Sequence, residues 1–223
     1  MVKKRGKEIK ILIVDDHPIV RRGLKMIIEK EDDLRVCAEA ANANEAIKAI
    51  VDNNPDVAIV DISLEGSING IELVKAVKDR FPGVIALVLS MYNESLYAER
   101  AIRAGASGYV MKKEADDNII AAIRMVLTGE LYLSSSMSKS IVQKLLHAPV
   151  EGEHSPENVL SDRELEIFMM IGNGMSIREI ASRLSLSLNT VETHRRHIKE
   201  KMHFRDLNEL VKYAVQWVFV QHR

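Results

Sequence analysis

The sequence predicts two domains of different class: an α/β unit built on a doubly wound parallel sheet, then a small all-helical unit. Three observations predict it. Five short runs rich in Val, Ile and Leu recur through the first 130 residues without polar alternation, as strands covered on both faces do. Amphipathic stretches of helical spacing separate them, which is the alternation of βα units. Beyond the polar segment that follows, the chain carries helical periodicity alone.

Strands are expected at 9–15, 34–40, 57–61, 84–90 and 108–111, and helices near 18–30, 43–53, 70–80, 94–104 and 115–128. In the first helix Val20, Leu24, Ile27 and Ile28 keep helical spacing, and Pro18 suits a first turn. Ser134-Ser135-Ser136 and the run from Ala148 to Pro156 are turn-forming, so 131–156 reads as a linker. A short helix inside it would present Met137, Ile141, Leu145 and Leu146. Ser161-x-x-Glu164 and Ser176-x-x-Glu179 are capping-box patterns, each opening a helix. Gly172 and Gly174 lie between them, as a helix stop and a tight turn would. Ile177, Ile180, Ala181 and Leu184 form one apolar stripe. A helix restarts at Leu186-Ser187 and runs to about Met202. A last helix places Leu207, Leu210, Val211, Ala214, Val215 and Val218 on one face. Four short helices around one core result.

Charge is balanced at 31 basic against 32 acidic residues in 223, so composition alone names no partner. A local asymmetry exists: between Ser187 and Arg205, Arg195, Arg196, Lys199, Lys201 and Arg205 outweigh Glu192 and Glu200. The single cysteine, Cys37, excludes an internal disulfide framework and suits a reducing compartment, and its apolar neighbours suggest an inert thiol. Lys3-Lys4-Arg5 is followed by no long apolar run, and no stretch approaches a membrane-spanning length. A soluble, cytoplasmic protein is expected.

Charged residues stand at the strand ends. Asp15-Asp16 follow Ile11-Leu12-Ile13-Val14, Asp61 follows Val57-Ala58-Ile59-Val60, and Lys112 follows Gly108-Tyr109-Val110-Met111. Open parallel sheets put their ligand sites just beyond the carboxyl ends of the strands. Three carboxylates and an ammonium there suit a divalent cation and a phosphoryl group, because the acids repel one another without a cation. Taken singly, Asp15-Asp16 also reads as acids decorating a helix N-terminus. The set, with Ser90 at the fourth strand end, points to a site.

These residues carry a resemblance. Residues 9–130 resemble the receiver domain of two-component response regulators, a flavodoxin-like (βα)5 fold. The resemblance implies that Asp61 is the phosphoacceptor, and that Asp15 and Asp16 hold Mg²⁺ together with Asp61 and the carbonyl of Ser63. Lys112 would neutralise the phosphoryl oxygens, Ser90 would hydrogen-bond them, and Tyr109 would rotate inward as the switch; otherwise Tyr109 is an ordinary edge-strand aromatic. The pattern departs at Glu65, where Pro is common, at Asn69-Gly70, which lies one residue late as if Ile68 were inserted, and at Lys113, where an acid or Pro is common. No reacting group is lost.

Residues 157–223 resemble the LuxR-type helix-turn-helix of NarL/FixJ-class regulators, carried by Leu160-Ser161-x-Arg163-Glu164, Gly174-Met175-Ser176-x-x-Glu179-Ile180-Ala181 and Ser187-x-x-Thr190-Val191-Glu192-Thr193-His194, with Ile198, Lys201 and Met202. In the 187–202 helix Val191, Ile198 and Met202 face the core, while Glu192, Arg196 and Lys199 share the opposite face; such a helix suits the major groove. The resemblance implies that Glu192, Thr193 and Arg196 read bases. Ser187, Asn189, Thr190, Arg195, Lys199 and Lys201 would contact phosphates. Alternatively these charges form a solvated face. Glu192 stands where Lys is common, so a different DNA sequence is expected. His194 reads as a packed core histidine at the turn or, alternatively, as a DNA contact. Tyr213, Trp217 and Val220 form a second apolar stripe, which suggests a dimer contact or a surface for the receiver.

The expected protein is a phosphorylation-controlled transcription factor of three segments: receiver 1–130, linker 131–156 and DNA-binding domain 157–223. Its expected partners are a sensor histidine kinase, double-stranded DNA and a second copy, with no membrane. It would be no enzyme beyond Mg²⁺-dependent self-phosphotransfer and dephosphorylation. Two rivals stand beside it. A phosphatase of the haloacid dehalogenase type would need an Asp where Ser63 stands. A regulator independent of phosphate would leave the acidic set unexplained.

Overall fold

In a computed structural model, residues 8–66, 68–92, 94–135, 137–139 and 155–221 are described. The chain divides into two compact units, with the division near Ala148 and Pro149. The short helix expected around Ile141, Leu145 and Leu146 lies outside the described residues; Met137 is buried.

The first unit alternates strands and helices: β1 (Ile9–Val14), α1 (Pro18–Ile28), β2 (Leu34–Ala40), α2 (Ala43–Asn53), β3 (Val57–Asp61), α3 (Gly70–Arg80), β4 (Ile85–Ser90), α4 (Glu94–Ala104), β5 (Gly108–Met111) and α5 (Ala115–Leu127). The strands form one parallel sheet in the order β2-β1-β3-β4-β5. Alternate side chains go to opposite faces. Ile11, Ile13, Ile59, Leu87, Leu89 and Val110 meet Leu24 and Ile28 of α1 and Ile119, Ile123 and Val126 of α5 in one apolar cluster. Burying each such side chain stabilises by about 2 kcal/mol, so the doubly covered sheet fixes where its strand ends lie.

Local chemistry sets the ends of the elements. Pro18 opens α1, and the Asn42 side chain caps α2 by accepting from Glu45 N. Asn69 and Glu72 form a reciprocal capping box at α3. Gly70 has a tight steric reason to be glycine, since a Cβ there would lie 1.9 Å from the carbonyl oxygen of Asp61. Residues 131 and 132, read from sequence as linker, still run beside the sheet: Tyr132 N donates to Ser107 O, and Tyr109 N donates to Tyr132 O.

The second unit holds α6 (Pro156–Val159), α7 (Asp162–Gly172), α8 (Ile177–Arg183), α9 (Leu188–Lys201) and α10 (Leu207–Gln221). Capping boxes at Ser161/Glu164 and Ser176/Glu179 open α7 and α8 as expected. The turn between α8 and α9 puts Ser185 at φ +51°, and Leu186 N closes it on Ala181 O. Gly172 ends its helix where a stop was expected. It is the last residue of α7, and a Cβ there would meet Val218 Cγ2 at 2.4 Å and Ala214 O at 2.6 Å, so it lets α10 pack close. Gly174, at φ +80°, makes the turn. The face expected on α10 is buried only along its centre, at Leu210, Ala214 and Val218, while Leu207, Val211 and Val215 are exposed.

Candidate functional sites

The sheet order reverses direction between β1 and β3, and a ligand crevice forms at such a switch point. Asp15 and Asp16 follow β1 there, Asp61 ends β3, Ser90 ends β4 and Lys112 follows β5. Asp15, Asp61 and Ser90 are buried. Lys112 Nζ lies 2.7 Å from Asp61 Oδ2, to which it donates a hydrogen bond, and 2.7 Å from Asp15 Oδ2. Among the described residues, Asp15, Asp16, His17 and Asp61 bring ligand atoms within 4.8 Å of one another.

The electrostatics reflect crowding of like charges in a dry crevice. Burial raises the Asp61 carboxyl to about 6 despite Lys112, with Asp15 adding to the rise. Burial also raises Asp16, against the pull of His17. Burial works against the charge of Lys112, but Asp61 and Asp15 outweigh it and lift its pKa. Asp15 Oδ2 and Asp16 Oδ1 are buried and lack aligned hydrogen bonds, although Lys112 and His17 stand close to them. Buried carboxylate oxygens gathered within 4.8 Å of one another fit a hard divalent cation.

Two residues that sequence reasoning missed shape this site. His17 donates its backbone N–H to Asp15 Oδ1 (2.8 Å) and sets Nδ1 2.5 Å from Asp16 Oδ1. Arg21 Nη1 donates to the Asp15 carbonyl (2.6 Å). Helical spacing alone made Arg21 one more polar residue of α1. Ser63 is half-buried in the turn after β3, where Leu64 N and Gly70 N both donate to Ile62 O. Tyr109 is already turned inward: it is buried and donates to the Tyr92 carbonyl at 2.9 Å. Burial pushes its phenol pKa upward. Ser90 Oγ accepts from Tyr92 N at 3.0 Å.

In the second unit Ser187 caps α9, accepting from Thr190 N, and its Oγ lies 2.8 Å from Thr190 Oγ1. Val191 and Ile198 are buried and Met202 is half-buried. Asn189, Glu192, Thr193, Arg196 and Lys199 line a groove of about 340 Å³ with Leu207. His194 is half-buried.

Two expected phosphate contacts are otherwise engaged. Lys201 Nζ donates to Glu164 Oε2 at 2.6 Å, tying the end of α9 to the start of α7. Arg195 donates to both carboxylate oxygens of Glu192 at 3.2 Å, and its side chain is only 12% exposed. The expected dimer stripe is partly engaged within this unit. Trp217 packs edge-on against Phe168 (5.7 Å between centroids), and Tyr213 packs against Phe168 and Phe204, so both half-buried rings make contacts within this unit. Val220 remains exposed.

Among the described residues, no helix is long and apolar enough to cross a membrane. Residues 11–124 match the response regulator receiver domain family, and residues 158–214 match the bacterial regulatory proteins of the luxR family. The chain is 36% identical over 211 residues to the oxygen regulatory protein NreC of Staphylococcus carnosus, covering 93% of this chain and 97% of that one. A LuxR-family two-component response regulator from Aurantimonas is similar at 34% identity and TM-score 0.57, covering 62% of this chain and 98% of that one. The response regulator ChrA of a heme-sensing two-component system is 30% identical, with TM-score 0.51, over 95% of this chain and 98% of that one.

Proposed function

We propose, because this chain belongs to the two-component response regulators that join a receiver domain to a LuxR-type DNA-binding domain, that phosphorylation of Asp61 controls its binding to DNA. The chain is a DNA-binding transcription regulator and not a classical enzyme. The observation that carries the proposal is the convergence of Asp15, Asp16, Asp61 and Lys112 at the switch point of the sheet.

The Asp61 carboxylate attacks the phosphorus of a phosphohistidine on a sensor kinase. A P–O bond forms as the P–N bond breaks, and the electron pair leaves with the imidazole. Such transfer asks for positioning and charge neutralisation more than covalent help. Asp15, Asp16, Asp61 and the Ser63 carbonyl would hold Mg²⁺, whose charge offsets that of the phosphoryl oxygens. Lys112 contributes the second positive charge. The Ser90 hydroxyl, which accepts from Tyr92 N, would donate to a phosphoryl oxygen. Tyr109 then stays inward, so the phosphoryl group favours the inward state of a two-state receiver.

The kinase approaches beside Lys112. A cleft of about 350 Å³ there is lined by Ile19, Gly23, Ile27, Met91 and Lys113, among others, and Ile19 and Met91 are 80% and 71% exposed. The activated chain dimerises through the exposed flank of α10, Leu207, Val211 and Val215, in place of the Tyr213–Trp217 stripe. α9 enters the major groove of double-stranded DNA. Glu192, Thr193 and Arg196 face the bases, and Ser187, Asn189, Thr190 and Lys199 face phosphates. The test is incorporation of phosphate from a small phosphodonor with Mg²⁺. Stoichiometric label in the wild type and none in Asp61→Asn supports the proposal; equal labelling of both removes Asp61 from it.

A further inference from the structure

We infer that Glu192 reads a cytosine in the operator, and that Arg195 acts as the positioning residue that aims it. This rests on the reading of α9 as the recognition helix. Glu192 is a little under half exposed on the groove side of α9, with Asn189 and Arg196 one turn away on the same side. A carboxylate among phosphates is repelled by every backbone charge, so a groove-facing acid is stable in a complex only against base edges that donate. In the major groove two exocyclic amines donate, those of cytosine and adenine. Adenine places its N7 acceptor beside its amine, which repels a carboxylate. Cytosine carries no acceptor next to N4. Guanine O6 and thymine O4 are acceptors and reject Glu192 outright.

The pair with Arg195 makes the acid a fixed reader. Nη1 of Arg195 spans both carboxylate oxygens at 3.2 Å, while its own side chain is 12% exposed and so is not offered to phosphate. A carboxylate accepts about four hydrogen bonds, so this contact leaves lone pairs for an amine. The pairing fixes the rotamer of Glu192.

The test selects bound duplexes from a randomised double-stranded DNA library with the full-length protein, treated with a small phosphodonor and Mg²⁺. Wild type, Glu192→Gln and Arg195→Gln are compared. The wild type is expected to enrich a motif with one cytosine favoured roughly tenfold or more. Glu192→Gln keeps the rest of the motif and loses that preference, turning toward adenine. Arg195→Gln weakens the cytosine preference while the dependence of affinity on salt stays unchanged, which a phosphate contact would not allow. An unaltered motif in Glu192→Gln overturns the inference alone, as does a wild-type preference for adenine at that position. Failure of the wild type to enrich any motif overturns both the inference and the recognition-helix reading.

Discussion

Lys112 Nζ donates to Asp61 Oδ2 at 2.7 Å across the width of β4, joining residues 51 apart in sequence. The same ammonium stands 2.7 Å from Asp15, so one cation holds two buried carboxylates together. Lys112→Ala leaves those acids facing each other unpaired. It is expected to lower stability by about 3 kcal/mol in buffer free of divalent cations. Added Mg²⁺ should recover part of that loss, and Asp61→Ala, which relieves the repulsion, should be neutral or stabilising. Urea unfolding with and without Mg²⁺ checks all three; equal losses in both buffers would remove the cation from the site.

Ile19→Asp puts a charge in the cleft beside Lys112 without touching a reacting group. Phosphotransfer from a histidine kinase is expected to slow roughly tenfold or more, the loss of about 1.4 kcal/mol at an apolar anchor. Labelling by a small phosphodonor should be unchanged. Equal slowing from both donors would show damage to the site in place of lost docking.

The α5 residue Arg124 pairs with Asp33, through one short contact and one at 2.6 Å, and with Glu31 at 3.1 Å. The hydrogen bond from Arg124 holds the Asp33 carboxyl below the usual range. A depressed carboxylate pKa stabilises the fold above the unfolded-state value and loses that contribution as pH falls through the folded-state value. The wild type should therefore be the more stable at pH 7, and its advantage over Arg124→Ala should fade below about pH 4. Urea midpoints of both proteins across that range measure it.

Lys201 and Lys199 lie on the same helix but do different work. Lys201 is held by Glu164. Lys201→Ala should cost about 1 kcal/mol of stability in the DNA-binding unit and leave the salt dependence of binding nearly unchanged. Lys199→Ala should leave stability alone and reduce the slope of log K against log salt by about 0.9. Exchange of these two outcomes would reverse the assignments.

The five strands and the five α-helices named above for the first unit were legible because a sheet covered on both faces writes itself as unbroken apolar runs. Its acidic site was legible because the fold puts every strand end on one edge. Element ends moved by a residue or two where backbone bonds decide them, as where Glu29 N closes α1 on Lys25 O. The ring contacts of Tyr213 and Trp217 were not legible, because the two look like a free stripe until Phe168 and Phe204 are brought to them. The partner of Lys201 was hidden for a related reason. A lysine on a basic helix looks the same whether it faces solvent or Glu164, which is 37 residues away. The packing role of Gly172 was not legible, because sequence does not reveal the backbone of α10 packed against it.

The central claim is that a phosphoryl group on Asp61 drives DNA binding. The most direct measurement is the affinity of the full-length protein for a selected operator duplex, with sedimentation of the same samples, with and without a small phosphodonor and Mg²⁺, beside Asp61→Ala. Tighter binding and a shift to dimer in the wild type alone is the predicted result. Equal affinity and mass for both proteins, with and without the donor, would contradict it.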